Sequence, residues 1–197
     1  MTSGPAYRQE GMRKLIVSEF VTLDGVMEAP GGETTHAHTN WVGDRPDPEW
    51  GAYKEAEVFE ADVLLVGRVT YESFAGAWPT YEGPMADRMN SMRKVVVSNT
   101  LSDPEWTNTT VIGGDAIAGV TALKAEGGGD VTVAGSATLV HALLEHALVD
   151  ELRLLVFPVT IGSGTRVFPE TTKATAWSLA DTRPFPHGAR LDVYRPA

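Results

Sequence analysis

Residues 61–74 read ADVLLVGRVTYESF, an apolar run that meets glycine, arginine and threonine within residues 67–70. The four apolar residues 63–66 are typical of a strand that is buried in a parallel sheet. Residues 69–75 are compatible with a helix, and strands that pass directly into helices are characteristic of α/β folds. The segment therefore predicts a buried strand that ends on glycine, with a helix beginning beside it.

Predicted strands and helices alternate along the rest of the chain. Runs of β-branched and other apolar residues predict further strands at residues 13–21, 94–97, 111–112, 131–134, 151–159, 177–181 and 190–195. Helix-start residues and helical spacing predict helices at residues 48–60, 69–75, 84–92, 116–125 and 136–147. The expected fold is a three-layer α-β-α arrangement, whose mixed sheet is mostly parallel and ends in antiparallel C-terminal strands.

The chain is expected to form one domain. Its 197 residues are 43% hydrophobic and 21% charged, which suits a single globular core. The polar residues 1–11 are expected to form a flexible tail, and residues 12–197 the folded domain. Residues 31–47 are rich in Gly, Thr, His, Asn and Pro, and a loop of this length in a compact domain is usually mobile or functional.

Composition excludes several classes of function. The formal charge of −10 disfavours contact with phosphate backbones, so no nucleic-acid partner is expected. Because the chain has no cysteine, disulfides, thiolate zinc sites and cysteine nucleophiles are excluded. No apolar run approaches the roughly 20 residues that span a bilayer, and the polar start is unlike a secretory signal. A cytoplasmic protein with no membrane partner is expected.

Histidines offer no convincing metal site. His36 and His38 lie one residue apart in the long loop, but no carboxylate pattern accompanies them. Since metal sites need three or four ligands in a suitable arrangement, no metal is expected.

A second segment, VTVAGSAT at residues 131–138, repeats the pattern of strand, glycine and helix start. In open α/β sheets, ligands bind at the carboxyl ends of the strands. Helix N-termini carry unpaired N–H groups that attract phosphate, and glycine lets a ligand approach the backbone closely. A third predicted strand ends in Ser98 and Asn99, and Arg68 adds a fixed positive charge. Together these strand ends predict a site for a nucleotide with an extra phosphate.

A structural interpretation of the same residues remains open. A junction of strand, glycine and helix can serve tight packing alone, and Thr70 and Thr138 can simply cap helices. Neither junction is a G-x-G-x-x-G or a Walker sequence, so the general nucleotide fingerprints are missing.

Three separated segments resemble one known superfamily. GRVTYE at residues 67–72 resembles the G-R-x-T-[WY]-E segment of dihydrofolate reductases. RKLIVSEFVTLDGVME at residues 13–28 is similar to the first strand and turn of the riboflavin-biosynthesis reductase domain. Residues 133–168 are similar to that group in their L-V-D-E-L and P-V-x-x-G-x-G elements. Across roughly residues 12–195, the chain is identified as a member of the dihydrofolate-reductase-like superfamily. Its type is the riboflavin-biosynthesis reductase C-terminal domain, standing alone without the deaminase domain.

The resemblance implies an NADPH-binding fold that is usually a homodimer. Residues 67–70 would contact the cofactor's phosphates. Residues 98–99 would lie near the adenosine ribose and its 2′-phosphate, and residues 135–138 would bind the diphosphate. The nicotinamide would lie near residues 21–25 and 157–164. The implied cofactor-binding residues are Gly67, Arg68, Val69, Thr70, Ser98, Asn99, Gly135, Ser136, Ala137 and Thr138.

Hydride transfer requires the protein to orient cofactor and substrate, and in some reactions to donate a proton. Asp24, on a tight turn at the end of a predicted strand, is the first candidate for proton donor, although an Asp before Gly often only forms a turn. Glu49 and Asp47 are the second candidates, although a carboxylate at a helix start is often a cap. Trp41 and Trp50 are candidates for stacking on a flat substrate, although core packing is the alternative. Phe157 is a third candidate for contact with the substrate, because it begins a segment that the resemblance places near the nicotinamide.

The function indicated by these features is an NADPH-dependent reductase of a small heterocycle, such as a pteridine, a flavin precursor or a pyrimidine-like compound. Gly135-Ser136 replaces the two glycines of dihydrofolate reductases, and no carboxylate clearly matches their pterin-facing acid, so folate is not the expected substrate. The alternatives are a non-catalytic protein of the same fold that binds a nucleotide or small ligand, and a structural or regulatory dimer without a ligand.

Overall fold

Within residues 11–170 and 174–197, which this computed structural model describes, eight strands form one mixed sheet. The strands are β1 (Leu15–Thr22), β2 (Val63–Gly67), β3 (Arg93–Val97), β4 (Thr109–Ile112), β5 (Val131–Val133), β6 (Glu151–Phe157), β7 (Trp177–Pro184) and β8 (Arg190–Pro196). Their order is β4-β3-β2-β5-β1-β6-β8-β7. Strands β1 to β6 pair in parallel, whereas β8 is antiparallel to both β6 and β7. The predicted mixed α/β sheet with an antiparallel C-terminal end is therefore confirmed.

Helices cover both faces of this sheet. They are α1 (Pro48–Glu60), α2 (Arg68–Ala77), α3 (Pro84–Ser91), α4 (Ala116–Ala125) and α5 (Ala137–Glu145), with a short 3-10 turn at Trp78–Thr80. Apolar side chains of α4 and α5 pack with alternate residues of β1, including Val17 and Val21, in one core. Residues of α2 and α3, including Tyr71 and Met89, pack on the other face against β2 and β3.

Local sequence signals account for most element boundaries. Helix α1 begins at the predicted Pro48, and the Asp47 side chain accepts the Glu49 N–H at 2.8 Å as an N-cap. Helix α5 is shorter than the predicted 136–147, because Ser136 and Ala147 both have positive φ angles, of 60° and 53°, which do not belong to a right-handed helix. Residues 1–10, most of the predicted tail, lie outside the described part of the chain.

Candidate functional site

The two glycine junctions lie side by side at the carboxyl edge of the sheet. Strands β2 and β5 are neighbours in register, with Leu65 opposite Val133, so the residues that follow both strands meet. The Gly67 N–H donates to Ser136 Oγ at 2.8 Å, and Ser136 Oγ donates to Thr70 Oγ1 at 2.9 Å. One serine hydroxyl thus connects the two junctions.

The backbone at the second junction is left-handed for two residues. Gly135 and Ser136 both have a φ of 60°. A Cβ atom added to Gly135 would lie 3.1 Å from Thr70 Oγ1 and 3.2 Å from Thr70 Cγ2, which is closer than side chains normally pack. Glycine at this position therefore serves both the φ angle and the close approach of the α2 start.

The helices that begin at these junctions have no side-chain cap among the described residues. Helix α2 starts after Gly67 and α5 after Ser136, and neither residue has a side-chain atom that caps its own helix. By contrast, α1 and α4 are capped by Asp47 and Asp115. The uncapped N–H groups of α2 and α5, together with the positive end of each helix dipole, form a position suited to an anion.

Arg68 is the cationic side chain nearest to this position in sequence. Its Nη1 donates to both carboxylate oxygens of Glu72, at 2.7 and 2.9 Å, and its side chain is 44% exposed. Because exposed ion pairs of this kind contribute little free energy, the guanidinium can exchange Glu72 for a bound phosphate. Val69 beside it is 65% exposed, which leaves the first turn of α2 accessible.

Ser98 and Asn99 follow β3, the next strand beyond β2, and both organise a loop. Ser98 Oγ accepts the N–H groups of Thr100 and Leu101 at 3.1 and 3.0 Å. Asn99 Oδ1 accepts the Gly114 N–H at 2.6 Å and so connects the loops after β3 and β4. The structure therefore brings residues 98–99 to the same sheet edge as the glycine junctions, as the parallel strands require.

Glu19, which the sequence-based interpretation did not single out, lies directly under the second junction. Its side chain is 5% exposed, and Oε2 accepts the Gly135 N–H at 2.9 Å. Among the described residues, Oε1 has no hydrogen-bond partner. Burial raises the pKa of Glu19 well above its ordinary value, against the opposing effect of the Gly135 hydrogen bond. The available signal was a carboxylate that strand alternation places on the same face of β1 as Val17 and Val21.

Asp24 anchors one loop to another. Its carboxylate accepts hydrogen bonds from Thr22 Oγ1 at 2.5 Å, from the Gly162 N–H at 2.7 Å and from the Ile161 N–H at 3.4 Å. These contacts, the Thr22 hydroxyl foremost, lower the pKa of Asp24 and favour the ionised form. The arrangement fits a loop anchor better than a proton donor, and the catalytic role of Asp24 stays a prediction.

Glu49 lies apart from the glycine junctions. It is the second residue of α1, and its carboxylate pairs with Arg183 of β7 at 3.2 Å, where both side chains are about half exposed, at 54% and 50%. Strand β7 stands five places from β2 in the sheet order. The structure therefore does not bring Glu49 together with the predicted cofactor residues.

The predicted stacking residues form a packed aromatic cluster. Phe157 is fully buried, with ring centroids 5.6 Å from Trp41 and 5.7 Å from Trp50. A ring with no exposed face offers nothing for a substrate to stack on, so the structure assigns Phe157 to the core. Trp41 also borders a cavity of about 380 Å³, whose other lining residues include Arg45, Thr160 and Ile161.

Neither a metal cluster nor a membrane helix is found in the part of the chain that the structure describes. No three His, Asp or Glu side chains gather there as metal ligands. No helix among residues 11–170 and 174–197 is long and apolar enough to cross a membrane.

With this geometry in place, comparison with known proteins decides the family. A family model described as the RibD C-terminal domain matches residues 13–191. The chain belongs to that family. Two relatives from Bacillus subtilis (strain 168), both uncharacterised, are each 27% identical to it: YyaP over 187 residues and YwjB over 183 residues. The matches cover 92% of this chain and 94% of YyaP, and 93% of this chain and 98% of YwjB.

Solved structures share the fold of this RibD C-terminal domain protein. A putative riboflavin biosynthesis protein from Shewanella sp. PV-4 has a TM-score of 0.73 at 19% identity, over 93% of this chain and 99% of that chain. Dihydrofolate reductase from Enterococcus faecalis, complexed with NADP(H) and RAB-propyl, has a TM-score of 0.63 at 16% identity, over 93% of this chain and 96% of that chain. A pyrimidine reductase-like protein from Corynebacterium diphtheriae has a TM-score of 0.67 at 12% identity, over 94% of this chain and 92% of that chain. These likenesses confirm the predicted dihydrofolate-reductase-like fold.

Proposed function

We propose that this protein is a reductase that uses NADPH to reduce a small heterocyclic compound of the pteridine, flavin-precursor or pyrimidine class. The observation that carries the proposal is the pair of glycine junctions, which Ser136 connects at the carboxyl edge of the sheet. Membership of a reductase family and the fold of an NADP(H)-bound dihydrofolate reductase support it.

The residues at the junctions fit a dinucleotide. The uncapped starts of α2 and α5 and the Arg68 guanidinium would bind its phosphates. Gly135 lets the start of α2 approach the second junction closely, because a Cβ atom there would meet Thr70, and so keeps the two helix starts side by side. When bound, NADPH supplies the hydride, so the chain has to bind and orient the two reactants.

A position for the substrate is offered by the cavity beside Trp41. Its volume of about 380 Å³ lies in the range of small-molecule sites. The Ile161 N–H, in the cavity wall, donates to Asp24, so the cavity adjoins the loop that Asp24 anchors. We expect the substrate to enter between this loop and the long loop that contains Arg45.

The test of the cofactor site compares two exposed arginines. Replacement of Arg68 by alanine should weaken NADPH binding by about 1.5–3 kcal/mol if a charged hydrogen bond to the 2′-phosphate is lost, and NADH binding, which lacks that phosphate, by much less. Arg93→Ala is the matched control, because Arg93 is exposed and also pairs with a glutamate, but lies at the start of β3 and so at the opposite edge of the sheet. Fluorescence titration measures both affinities.

The outcomes separate the proposed function from its alternatives. Oxidation of NADPH in the presence of a pterin, flavin or quinone supports a reductase, whereas binding without oxidation favours the non-catalytic ligand-binding protein. No binding of NADPH at micromolar concentration by the wild-type protein contradicts the proposal. Equal NADPH affinity in wild type and Arg68→Ala contradicts the role of Arg68.

We also infer a homodimer. Strand β7 lies at one end of the sheet, and seven of its eight residues are exposed in the single chain. Leu179 on this strand is 54% exposed, although it is a large apolar side chain. An exposed edge strand with an apolar side chain is a surface that pairs readily with a second copy.

A further inference from the structure

Glu19 is a buried carboxyl group for which the proposed function has no use so far. It lies on β1, the strand between β5 and β6, and its Oε2 is the acceptor for the Gly135 N–H at 2.9 Å. Its other oxygen is buried and has no partner within residues 11–170 and 174–197. Burying an ionised carboxylate with a single hydrogen bond costs free energy, so burial favours the neutral acid.

The surroundings of Glu19 provide little compensation for a negative charge. Side chains alternate along β1, so Glu19 shares the apolar core face with Val17 and Val21. The neighbouring Ser18 points to the opposite face, where it bonds with Glu57 and Lys54 of α1. Lys54 and Glu57 are the charged groups that act on Glu19, and they act with opposite sign. Burial is therefore the dominant influence on this carboxyl group.

The contact with Gly135 connects this carboxyl group to the anion position. Gly135 is the turning point of the junction, with a φ of 60°, and Ser136 and the start of α5 follow directly. An acceptor on the Gly135 N–H fixes the orientation of that peptide group. A negative charge on the acceptor would lie just behind the N–H groups that face a phosphate, and would repel it.

We propose that Glu19 is a positioning residue that acts as a neutral carboxylic acid, holding the Gly135 peptide in place while NADPH binds and weakening that binding when it ionises. This role rests on the proposed function, since it concerns the same cofactor position. The proton of the neutral acid resides on Oε1, because Oε2 is the acceptor for Gly135. Cofactor affinity is accordingly linked to one proton on Glu19.

The test is the pH dependence of NADPH affinity in wild type and in Glu19→Gln. The amide of glutamine keeps an acceptor for Gly135 and cannot ionise. At the acid end of the titration, where Glu19 is neutral, the two proteins should bind NADPH within about threefold of each other. As the pH rises and Glu19 ionises, NADPH binding by wild type should weaken by about tenfold relative to Glu19→Gln, as expected for one unit charge about 10 Å from another at an effective dielectric constant of about 20. The ratio of the two dissociation constants cancels the titration of NADPH itself.

A matched control removes a carboxylate elsewhere. Glu60→Gln changes the net charge equally, but Glu60 is exposed at the end of α1 that precedes β2. Its NADPH affinity should follow wild type at every pH. A constant ratio between wild type and Glu19→Gln overturns the role of Glu19 and leaves the proposed function intact. Failure of every variant to bind NADPH at any pH overturns both.

A measurement on the wild type alone covers the case in which Glu19→Gln does not fold. Carbon-13 NMR of labelled glutamate reports the ionisation of each buried carboxyl group without added cofactor. A carboxyl group that lies close to the Gly135 amide and has a pKa above the ordinary value of 4.5 supports the proposal. A Glu19 whose pKa is at or below that value overturns it.

Discussion

At the scale of single residues, Ser136 holds the candidate site together. Its hydroxyl accepts from the Gly67 backbone and donates to Thr70, while its own φ angle is 60°. A non-glycine residue in this left-handed region carries some strain, which the two hydrogen bonds offset.

Replacing Ser136 by alanine should reduce stability, because it leaves the Gly67 N–H without its acceptor. We expect the free energy of unfolding to fall by about 1–3 kcal/mol, as measured by urea denaturation. Ser73→Ala is the control, since Ser73 is exposed on α2, and it should change stability by less than about 0.5 kcal/mol. Equal effects of the two substitutions would show that the hydrogen bonds of the Ser136 hydroxyl contribute nothing to stability.

Single residues also mark the limit of what the sequence can predict. Gly67, Arg68 and Gly135 were recognisable because strand, glycine and helix start follow each other within a few positions. Glu19 was not, because its significance depends on Gly135, which is 116 positions away in the chain. Alternation along residues 13–21 places Glu19 on the same face as Val17 and Val21, but nothing local indicates that its carboxylate meets the Gly135 N–H.

At the scale of elements, the sequence predicted the helices and strands well and the contacts between them poorly. Caps and periodicity are local, so α1 and α4 were predicted with the bounds that the structure has. The strand order is not local: β5 inserts between β1 and β2, and this insertion alone brings the two glycine junctions together. The junction residues could be named from the local sequence, whereas their assignment to parts of one cofactor came from the family resemblance.

A buried ionic cluster joins the central and C-terminal strands. The Glu151 carboxylate, at the start of β6, accepts hydrogen bonds from Lys14 at 2.8 Å, Arg153 at 2.8 Å and Arg195 at 2.9 Å. Its side chain is 2% exposed. Although burial opposes it, these three cations lower the pKa of Glu151 to about 2. One carboxylate thus ties the entrance of β1 to both β6 and β8.

Glu151→Gln should destabilise the sheet in a pH-dependent way. At pH 7 we expect the free energy of unfolding to fall by about 3 kcal/mol, because two partly buried cations, Lys14 and Arg153, and the exposed Arg195 lose their common partner. A lowered pKa stabilises the folded state above the ordinary pKa of 4.5, and this contribution is lost as the pH falls toward about 2. The difference between variant and wild type should therefore shrink over that interval in urea denaturation.

The exposed pair of Arg93 and Glu126 provides the control for this experiment. Glu126→Gln removes a carboxylate whose side chain is 43% exposed, so its effect should stay below about 1 kcal/mol. If the two variants destabilise the protein equally, or if the effect of Glu151→Gln does not depend on pH, the cluster does not contribute as its geometry indicates.

At the scale of the whole molecule, the two ends of the sheet are unlike each other. At one end β4 contributes four residues, whereas at the other β7 contributes eight, most of them exposed. Within the described residues, β8 is the one strand that pairs with β7, which leaves the outer edge of β7 free. Since long open edges promote association, this end is where a second copy is expected.

Leu179→Lys should therefore convert a dimer into a monomer. Lysine on an edge strand opposes strand pairing, and its charge would meet the same charge on the symmetric partner. Light scattering after size-exclusion chromatography should give a dimeric mass for wild type and a monomeric mass for the variant. Phe59→Lys is the control, because Phe59 is 50% exposed on α1, and its mass should remain dimeric. A monomeric wild type contradicts the homodimer. If Phe59→Lys dissociates the dimer and Leu179→Lys does not, the interface lies on α1.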